Sequence, residues 1–161
     1  MKIIKKTTYL IFLFFLFITK SGAQNIERYY DFRWKECEPN AARFYSKIAK
    51  TDSGYLRKDY YIRERKLQMN GMYLDSLCKI RNGHFTLYHA NGVLESCGKL
   101  IQNKREGLWL SYYNNGFMKD STVYSNGEMV GKSLSWYSNG YPSDSISLNE
   151  DRSGVQVSCN G

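Results

Sequence analysis

The sequence predicts a mostly β fold, an elongated antiparallel meander of stacked β-hairpins with a short N-terminal helical or irregular lead-in. Two observations predict the meander. Glycine recurs at steps of 24 residues, at Gly83, Gly107 and Gly131, and an Asn-Gly pair follows each of these glycines at positions eight and nine. Helix is disfavoured over this stretch, because glycine inside a helix costs about 1 kcal/mol relative to alanine.

The first 23 residues have the organisation of a secretory signal peptide. Three lysines precede an apolar run over residues 9–18, and small residues lead up to Ala23. We predict cleavage before Gln24 and a protein of the periplasm or the extracellular space. An uncleaved anchor is the alternative, but this run covers only about half of the roughly 20 residues that a bilayer core requires. The remainder has no segment apolar enough to be transmembrane.

The composition after residue 23 excludes some partner classes. The remaining chain has 19 basic and 15 acidic residues, a net charge of +4. Lys and Arg alternate with Asp and Glu instead of forming a basic stripe, so nucleic acid is not an expected partner. Leu, Ile and Val are sparse, whereas Tyr and Trp are plentiful, so aromatic rings must supply much of the buried area.

The repeat divides the chain into consecutive segments. The first repeat is degenerate, with Arg63-Glu64-Arg65 where an Asn-Gly turn is expected and an insertion over residues 74–81. The predicted segments are the signal peptide 1–23, the lead-in 24–53, the degenerate repeat 54–82, the repeats 83–106 and 107–130, the partial repeat 131–148, and the C-terminal tail or cap 149–161.

The positions that define the repeat are glycines, aromatic residues and asparagines. They are Gly83, Tyr88, Asn91 and Gly92 in one copy, Gly107, Trp109, Tyr112, Asn115 and Gly116 in the next, and Gly131, Trp136, Asn139 and Gly140 in the last.

The Asn-Gly pairs predict type I′ hairpin turns, since both central residues of that turn need positive φ. The aromatics two and five positions after the first glycine have opposite parity and would face opposite sides of a flat strand. A bulge or a sharp bend between them would bring both rings to one side, and the sequence does not decide which.

The run from Gly98 to Asp120 resembles the MORN repeat variant of the YwqK-like antitoxin family. The resemblance lies in Gly98, Lys104, Gly107, Trp109, the pair Tyr112-Tyr113 and the turn Asn115-Gly116, whereas Gln102-Asn103 replaces Asn-Gly and Ser133 replaces the tryptophan of the next copy. The family label implies neutralisation of a partner toxin as one alternative function. A lipid-contacting or glycan-contacting module is another.

The lead-in is similar to the segment that precedes such repeats in exported Bacteroidota proteins, including some TonB-like energy transducers. The resemblance covers residues 31–48 and 53–73. Those transducers carry a membrane anchor and a C-terminal receptor-binding domain, and neither is recognisable in this sequence. Energy coupling is therefore not expected.

No catalytic or metal-binding pattern stands out. The two histidines, His84 and His89, lie five residues apart on opposite faces of a predicted strand, with no convergent third ligand. We expect neither an enzyme, nor a metal site, nor a cofactor. The four cysteines permit three fully paired connectivities, among which Cys78 with Cys97 is the pair nearest in sequence, and buried free thiols are the alternative.

The expected function is a protein-protein interaction module without catalytic activity. If Tyr112 faces the core, its neighbour Tyr113 faces outward, and Tyr61, Tyr113 and Tyr137 would form a tyrosine strip suited to a protein or glycan partner. The alternative is that these tyrosines pair across strands and stabilise the sheet.

Overall fold

The computed structural model describes residues 25–148 and 154–158. The predicted signal peptide and residues 149–153 and 159–161 of the predicted tail lie outside this part. All strands of the described residues form one antiparallel sheet, in which each strand pairs with its neighbours in sequence. The strands are β1 (Ile26–Tyr30), β2 (Phe44–Thr51), β3 (Gly54–Tyr61), β4 (Lys66–Tyr73), β5 (Arg81–Tyr88), β6 (Leu94–Ile101), β7 (Lys104–Tyr112), β8 (Met118–Ser125), β9 (Glu128–Trp136), β10 (Pro142–Leu148) and β11 (Gly154–Ser158).

The predicted mostly β meander is confirmed. Hairpins β5–β6, β7–β8 and β9–β10 coincide with the three copies of the repeat, and β3–β4 forms the degenerate copy with its turn at residues 62–65. Within the tail, β11 pairs with β10 and extends the sheet by one strand. Among the residues described, no helix is long and apolar enough to cross a membrane.

The lead-in is irregular between residues 31 and 43 and includes a 3-10 turn at Pro39–Ala41. Strands β1 and β2, which were not expected from the sequence, lie on either side of it. In β2 the buried residues alternate along the chain as Phe44, Ser46 and Ile48, the period of a strand with one buried face.

The predicted type I′ turns at Asn-Gly are wrong. In the first copy the N–H of His89 donates to the carbonyl of Val93, and the N–H of Gly92 donates to the carbonyl of His89. These bonds define a three-residue loop over residues 90–92. Only Gly92 has positive φ there, at 88°. The asparagine keeps ordinary φ because its side chain accepts the N–H of Val93 and closes the turn.

Turns with two residues of positive φ occur at the opposite end of the same hairpins. They contain Gln102 and Asn103 between β6 and β7, and Asn126 and Gly127 between β8 and β9. The predicted turn type thus occurs at the other end of the strands, because both ends carry asparagine or glycine.

Each hairpin carries a bulge beside its repeat aromatic residue. The pairing shifts between Leu87 and Tyr88, where Glu95 is the extra residue in β6, and again between Ser111 and Tyr112, where Lys119 is the extra residue in β8. These extra residues lie in the outgoing strands and leave the parity of the aromatic residues in the incoming strands unchanged. A second irregularity surrounds the repeat glycines, where two extra residues enter the incoming strand. Gly83, Gly107 and Gly131 have positive φ of 125°, 70° and 67° in these bulges.

The buried side chains lie on one face of the sheet, which we call the inner face. Its central cluster contains Met69, Tyr73, Phe85, Leu100 and Trp109. The cross-strand register explains why large rings fit into a single layer. A side chain on Gly71 would overlap the ring of Phe85, and one on Gly98 would overlap the indole of Trp109.

These two contacts place an aromatic ring of one strand over a glycine of the preceding strand. The Trp109 indole N–H also donates to the carbonyl of Lys99 at 3.0 Å, which satisfies its polar atom. In the third copy both partners change together. Thr122 replaces the glycine, Ser133 replaces the aromatic residue, and their buried hydroxyls are 2.7 Å apart in a hydrogen bond.

The pairing of ring and glycine predicts strong coupling between Gly98 and Trp109. Gly98→Thr alone should cost about 3 kcal/mol because the added atoms displace the indole. Trp109→Ser alone should cost about 3–5 kcal/mol through the lost burial. The double variant reproduces the hydroxyl pair of Thr122 and Ser133. Its loss of unfolding free energy should therefore be smaller than the sum of the two single losses by at least about 2 kcal/mol. Urea unfolding of the wild type, the two single variants and the double variant measures this difference. Additive losses would contradict the packing of the Trp109 ring over Gly98.

Candidate functional site

A groove of about 620 Å³ lies on the inner face and is the candidate functional site. It is lined by residues of β1 and of β3 to β7, together with two segments that depart from the repeat. One is the loop of the lead-in, which contributes Trp34. The other is the insertion at residues 74–80, which contributes Cys78 and Lys79.

The loop of the lead-in is held by its own hydrogen bonds. The carboxylate of Asp31 accepts the N–H groups of Arg33 and Lys35. Trp34 then takes a φ of 59°, and its ring stacks on Phe44 with centroids 4.2 Å apart and an interplanar angle of 8°. The indole is nevertheless 41% exposed, so a ligand in the groove can reach it.

The insertion is organised by Asp75. Its carboxylate accepts the N–H groups of Ile80, Lys79 and Leu77. These hydrogen bonds, of which the one from Ile80 has the largest effect, hold the pKa of Asp75 below its ordinary value. Cys78 follows with a φ of 55° and packs against the central cluster. Burial raises the pKa of the Cys78 thiol, which disfavours the reactive thiolate.

A buried ion pair forms one end of the groove. The Arg57 Nε donates to the Asp59 carboxylate at 2.8 Å, and the Ser46 hydroxyl donates to the same oxygen. The two charged side chains are only 13% and 3% exposed. Burial acts to lower the pKa of Arg57, but its hydrogen bond and attraction to Asp59 outweigh this and raise it. The pair is internally satisfied and fixes β2 to β3.

Arg105 forms the other end of the groove and is arranged differently. Its guanidinium lies over the rings of Trp109 and Tyr124, 4.7 and 5.1 Å from their centroids. One N–H donates to the Tyr124 hydroxyl at 3.0 Å. Within the described residues no carboxylate pairs with Arg105. The remaining donors of an arginine held between two rings are therefore available to a ligand.

Two of the three tyrosines of the predicted strip connect successive repeats. The Tyr61 hydroxyl donates to the carbonyl of Tyr88 at 3.0 Å, and that of Tyr113 donates to the carbonyl of Trp136 at 2.9 Å. Burial raises the pKa of Tyr61. Tyr113 begins the turn rather than continuing the strand, which is why its ring lies along the next hairpin. Tyr137 is 48% exposed.

The repeat asparagines make a parallel set of connections. The side-chain N–H groups of Asn91 and Asn115 donate to the carbonyls of Asn114 and Ser138, each in the following hairpin. His89 occupies the position equivalent to Tyr113, and its Nε2 hydrogen-bonds to the carbonyl of Tyr112 at 2.9 Å. Most repeat-defining polar residues thus serve the scaffold.

The suggested Cys78–Cys97 disulfide is absent, and both cysteines are free thiols. Cys78 packs on the inner face, whereas Cys97 lies in β6 between Ser96 and Gly98, which face inward. Successive side chains of a strand alternate between faces, so Cys97 points to the outer face. The sheet therefore lies between the two thiols.

The groove was not predicted from the sequence. A signal for it was present, because Arg57, Asp59 and Arg105 have the same strand parity as neighbouring core residues. Across the described residues no group of three side chains is suited to hold a metal ion. Comparison of the chain with protein-family models and with curated proteins gives no match.

The tyrosine connection predicts a stability effect for Tyr113→Phe. Loss of the hydroxyl leaves the Trp136 carbonyl without this donor, so the free energy of unfolding should fall by about 1 kcal/mol. Tyr141→Phe removes the hydroxyl of an exposed tyrosine and should change it by less than about 0.3 kcal/mol. Urea denaturation followed by circular dichroism compares the two, and equal effects would count against the connection.

Proposed function

We propose that this protein is a non-catalytic interaction module that acts outside the cytoplasm and binds a protein partner in the inner-face groove. The observation that carries the proposal is the lining of the groove. Trp34, Tyr73, Arg105 and Trp109 line one groove of the inner face, in which Trp34 and Arg105 are exposed. Tryptophan, tyrosine and arginine are the residue types that dominate binding energy at protein interfaces.

The separation between residues that connect the repeats and segments that border the groove supports the proposal. Tyr113, Asn91 and Asn115 fix one repeat to the next at the Asn-Gly end, and side chains such as Asn103 add connections at the opposite end. The two segments outside the repeat both border the groove. A regular scaffold with irregular segments around one groove is an arrangement in which binding residues are held by a rigid support.

The export pattern of the sequence and its repeat-built sheet both support this proposal. The signal-peptide pattern in residues 1–23 is consistent with a partner outside the cytoplasm. A repeat-built sheet provides an extended surface, which favours a macromolecular partner over a small substrate.

Blocking the groove tests the proposal without assuming the chemistry of the partner. Ser96 lies on the floor of the groove between Leu87 and Ser111, and Ser96→Tyr should fill it while preserving charge and strand propensity. We expect this variant to lose at least about 90% of the partner captured from an envelope extract by the wild-type protein, as a loss of about 1.4 kcal/mol is tenfold in affinity.

Ser121→Tyr is the matched control, because Ser121 lies on the outer face opposite Leu110 and Leu134. It adds the same ring to a strand of the same sheet and should leave capture unchanged. Both variants are checked for wild-type circular dichroism. Capture that survives Ser96→Tyr, or that is lost equally with Ser121→Tyr, would overturn the groove as the binding surface.

A further inference from the structure

The charges around the groove are strongly one-sided. Its lining contains four cationic side chains, Arg57, Lys79, Arg81 and Arg105, and a single carboxylate, Asp59. Arg57 and Asp59 neutralise each other in the buried ion pair. Three cations therefore remain without a carboxylate partner in the described part of the chain, although the mature sequence as a whole is close to balanced in charge.

Arg105 is the best prepared of these cations for an anionic group. The rings of Trp109 and Tyr124 hold its guanidinium, and one donor is used by the Tyr124 hydroxyl. A guanidinium fork matches a carboxylate in a bidentate geometry, and holding it in advance reduces the entropy lost on binding. Exposed ion pairs without such ordering contribute little.

The spacing of the cations favours an extended chain over an isolated anion. Arg81, at the start of β5, pairs with Tyr73 of β4, and Arg105 of β7 pairs with Leu100 of β6. Through Leu100, Arg105 lies opposite Gly83, two residues along β5 from Arg81, so two strand spacings and this offset separate the two arginines by roughly 12 Å. Carboxylates four residues apart in an extended peptide lie on one side of it and are separated by about the same distance. Trp34 lies on the same groove and, being exposed, offers apolar surface to the residues between the carboxylates.

We propose that the groove binds an extended acidic segment of a protein, with Arg105 contacting one of its carboxylates and Arg81 and Lys79 contacting others. This inference rests on the proposed function and adds the chemistry of the partner. The limited number of cations within one groove favours a short peptide segment over a nucleic acid, whose phosphates require a longer basic track.

Fluorescence anisotropy with a labelled peptide of about twelve residues tests the proposal. The peptide carries Glu at every fourth position between Ala and Tyr, which places the carboxylates on one side of an extended chain, and its counterpart carries Gln in place of Glu. We expect the purified protein to bind the Glu peptide at least about tenfold more tightly than the Gln peptide, with affinity falling as salt rises. Binding should also change the tryptophan emission of the protein, since Trp34 and Trp109 line the groove.

Two substitutions then locate the site. Arg105→Ala should weaken Glu-peptide binding about fivefold to tenfold, because it removes the ordered guanidinium. Lys99→Ala removes the same charge from the outer face opposite His84 and should change binding less than about twofold. Both residues are exposed, so both variants are expected to fold. Arg105→Ala should lower the unfolding midpoint slightly through its lost contacts with Trp109 and Tyr124, so binding is compared under conditions in which both variants are fully folded.

Equal binding of the Glu and Gln peptides, or equal effects of the two substitutions, would overturn the acidic-segment proposal. Tighter binding of a single-stranded oligonucleotide or of anionic phosphatidylglycerol vesicles than of the Glu peptide would overturn it as well. If the Glu peptide fails to bind while Ser96→Tyr still abolishes partner capture, the partner is not acidic and the groove remains the binding surface. If Ser96→Tyr leaves capture intact, the proposed function itself fails.

Discussion

The fold depends on aromatic rings of one strand that pack over glycines of the preceding strand. Phe85 covers Gly71 and Trp109 covers Gly98, and each ring occupies the space that a side chain would otherwise fill. This contact allows a single sheet to bury large side chains without a second layer, since the rings lie flat against neighbouring backbone. Two features of the repeat follow from it. The incoming strand needs a bulge to aim its aromatic residue, and the bulge needs a glycine with positive φ.

The scaffold and the groove draw on partly different parts of the sequence. Repeating residues at the Asn-Gly end connect successive hairpins through bonds such as that from Tyr113 to Trp136. Towards β9 the inner face becomes polar, with the hydroxyl pair of Thr122 and Ser133 in place of ring and glycine. The groove lies over the central cluster and extends to the loop containing Trp34 and the insertion containing Cys78, which depart from the repeat. Its lining therefore combines residues of the repeat, such as Arg105 and Trp109, with residues of these two irregular segments.

Periodicity made the hairpins predictable and also limited what could be predicted. The 24-residue step located three hairpins, because a hairpin is a local structure and its turn residues recur at fixed positions. The hydrogen bonds that Tyr61 and Tyr113 make between repeats could not be predicted, because they depend on the bulge positions and the turn ends, which are set by pairing between strands. Arg105 was overlooked because no spacing along the chain reveals that Trp109 and Tyr124 enclose its guanidinium. The suggested Cys78–Cys97 disulfide was wrong for a similar reason. Proximity in sequence does not reveal that the two side chains lie on opposite faces of the sheet.

Hydrogen exchange of backbone amides tests most directly whether the ring-over-glycine contact dominates stability. Strands β6 and β9 are both interior and both paired on two sides, so backbone hydrogen bonding alone predicts similar protection. They differ in that β6 contributes Gly98 and Leu100 to the central cluster, whereas the inner face of β9 presents Ser133. We predict that amides of β6 exchange at least about 100-fold more slowly than those of β9 after correction for intrinsic rates. Equal protection of the two strands would contradict this account.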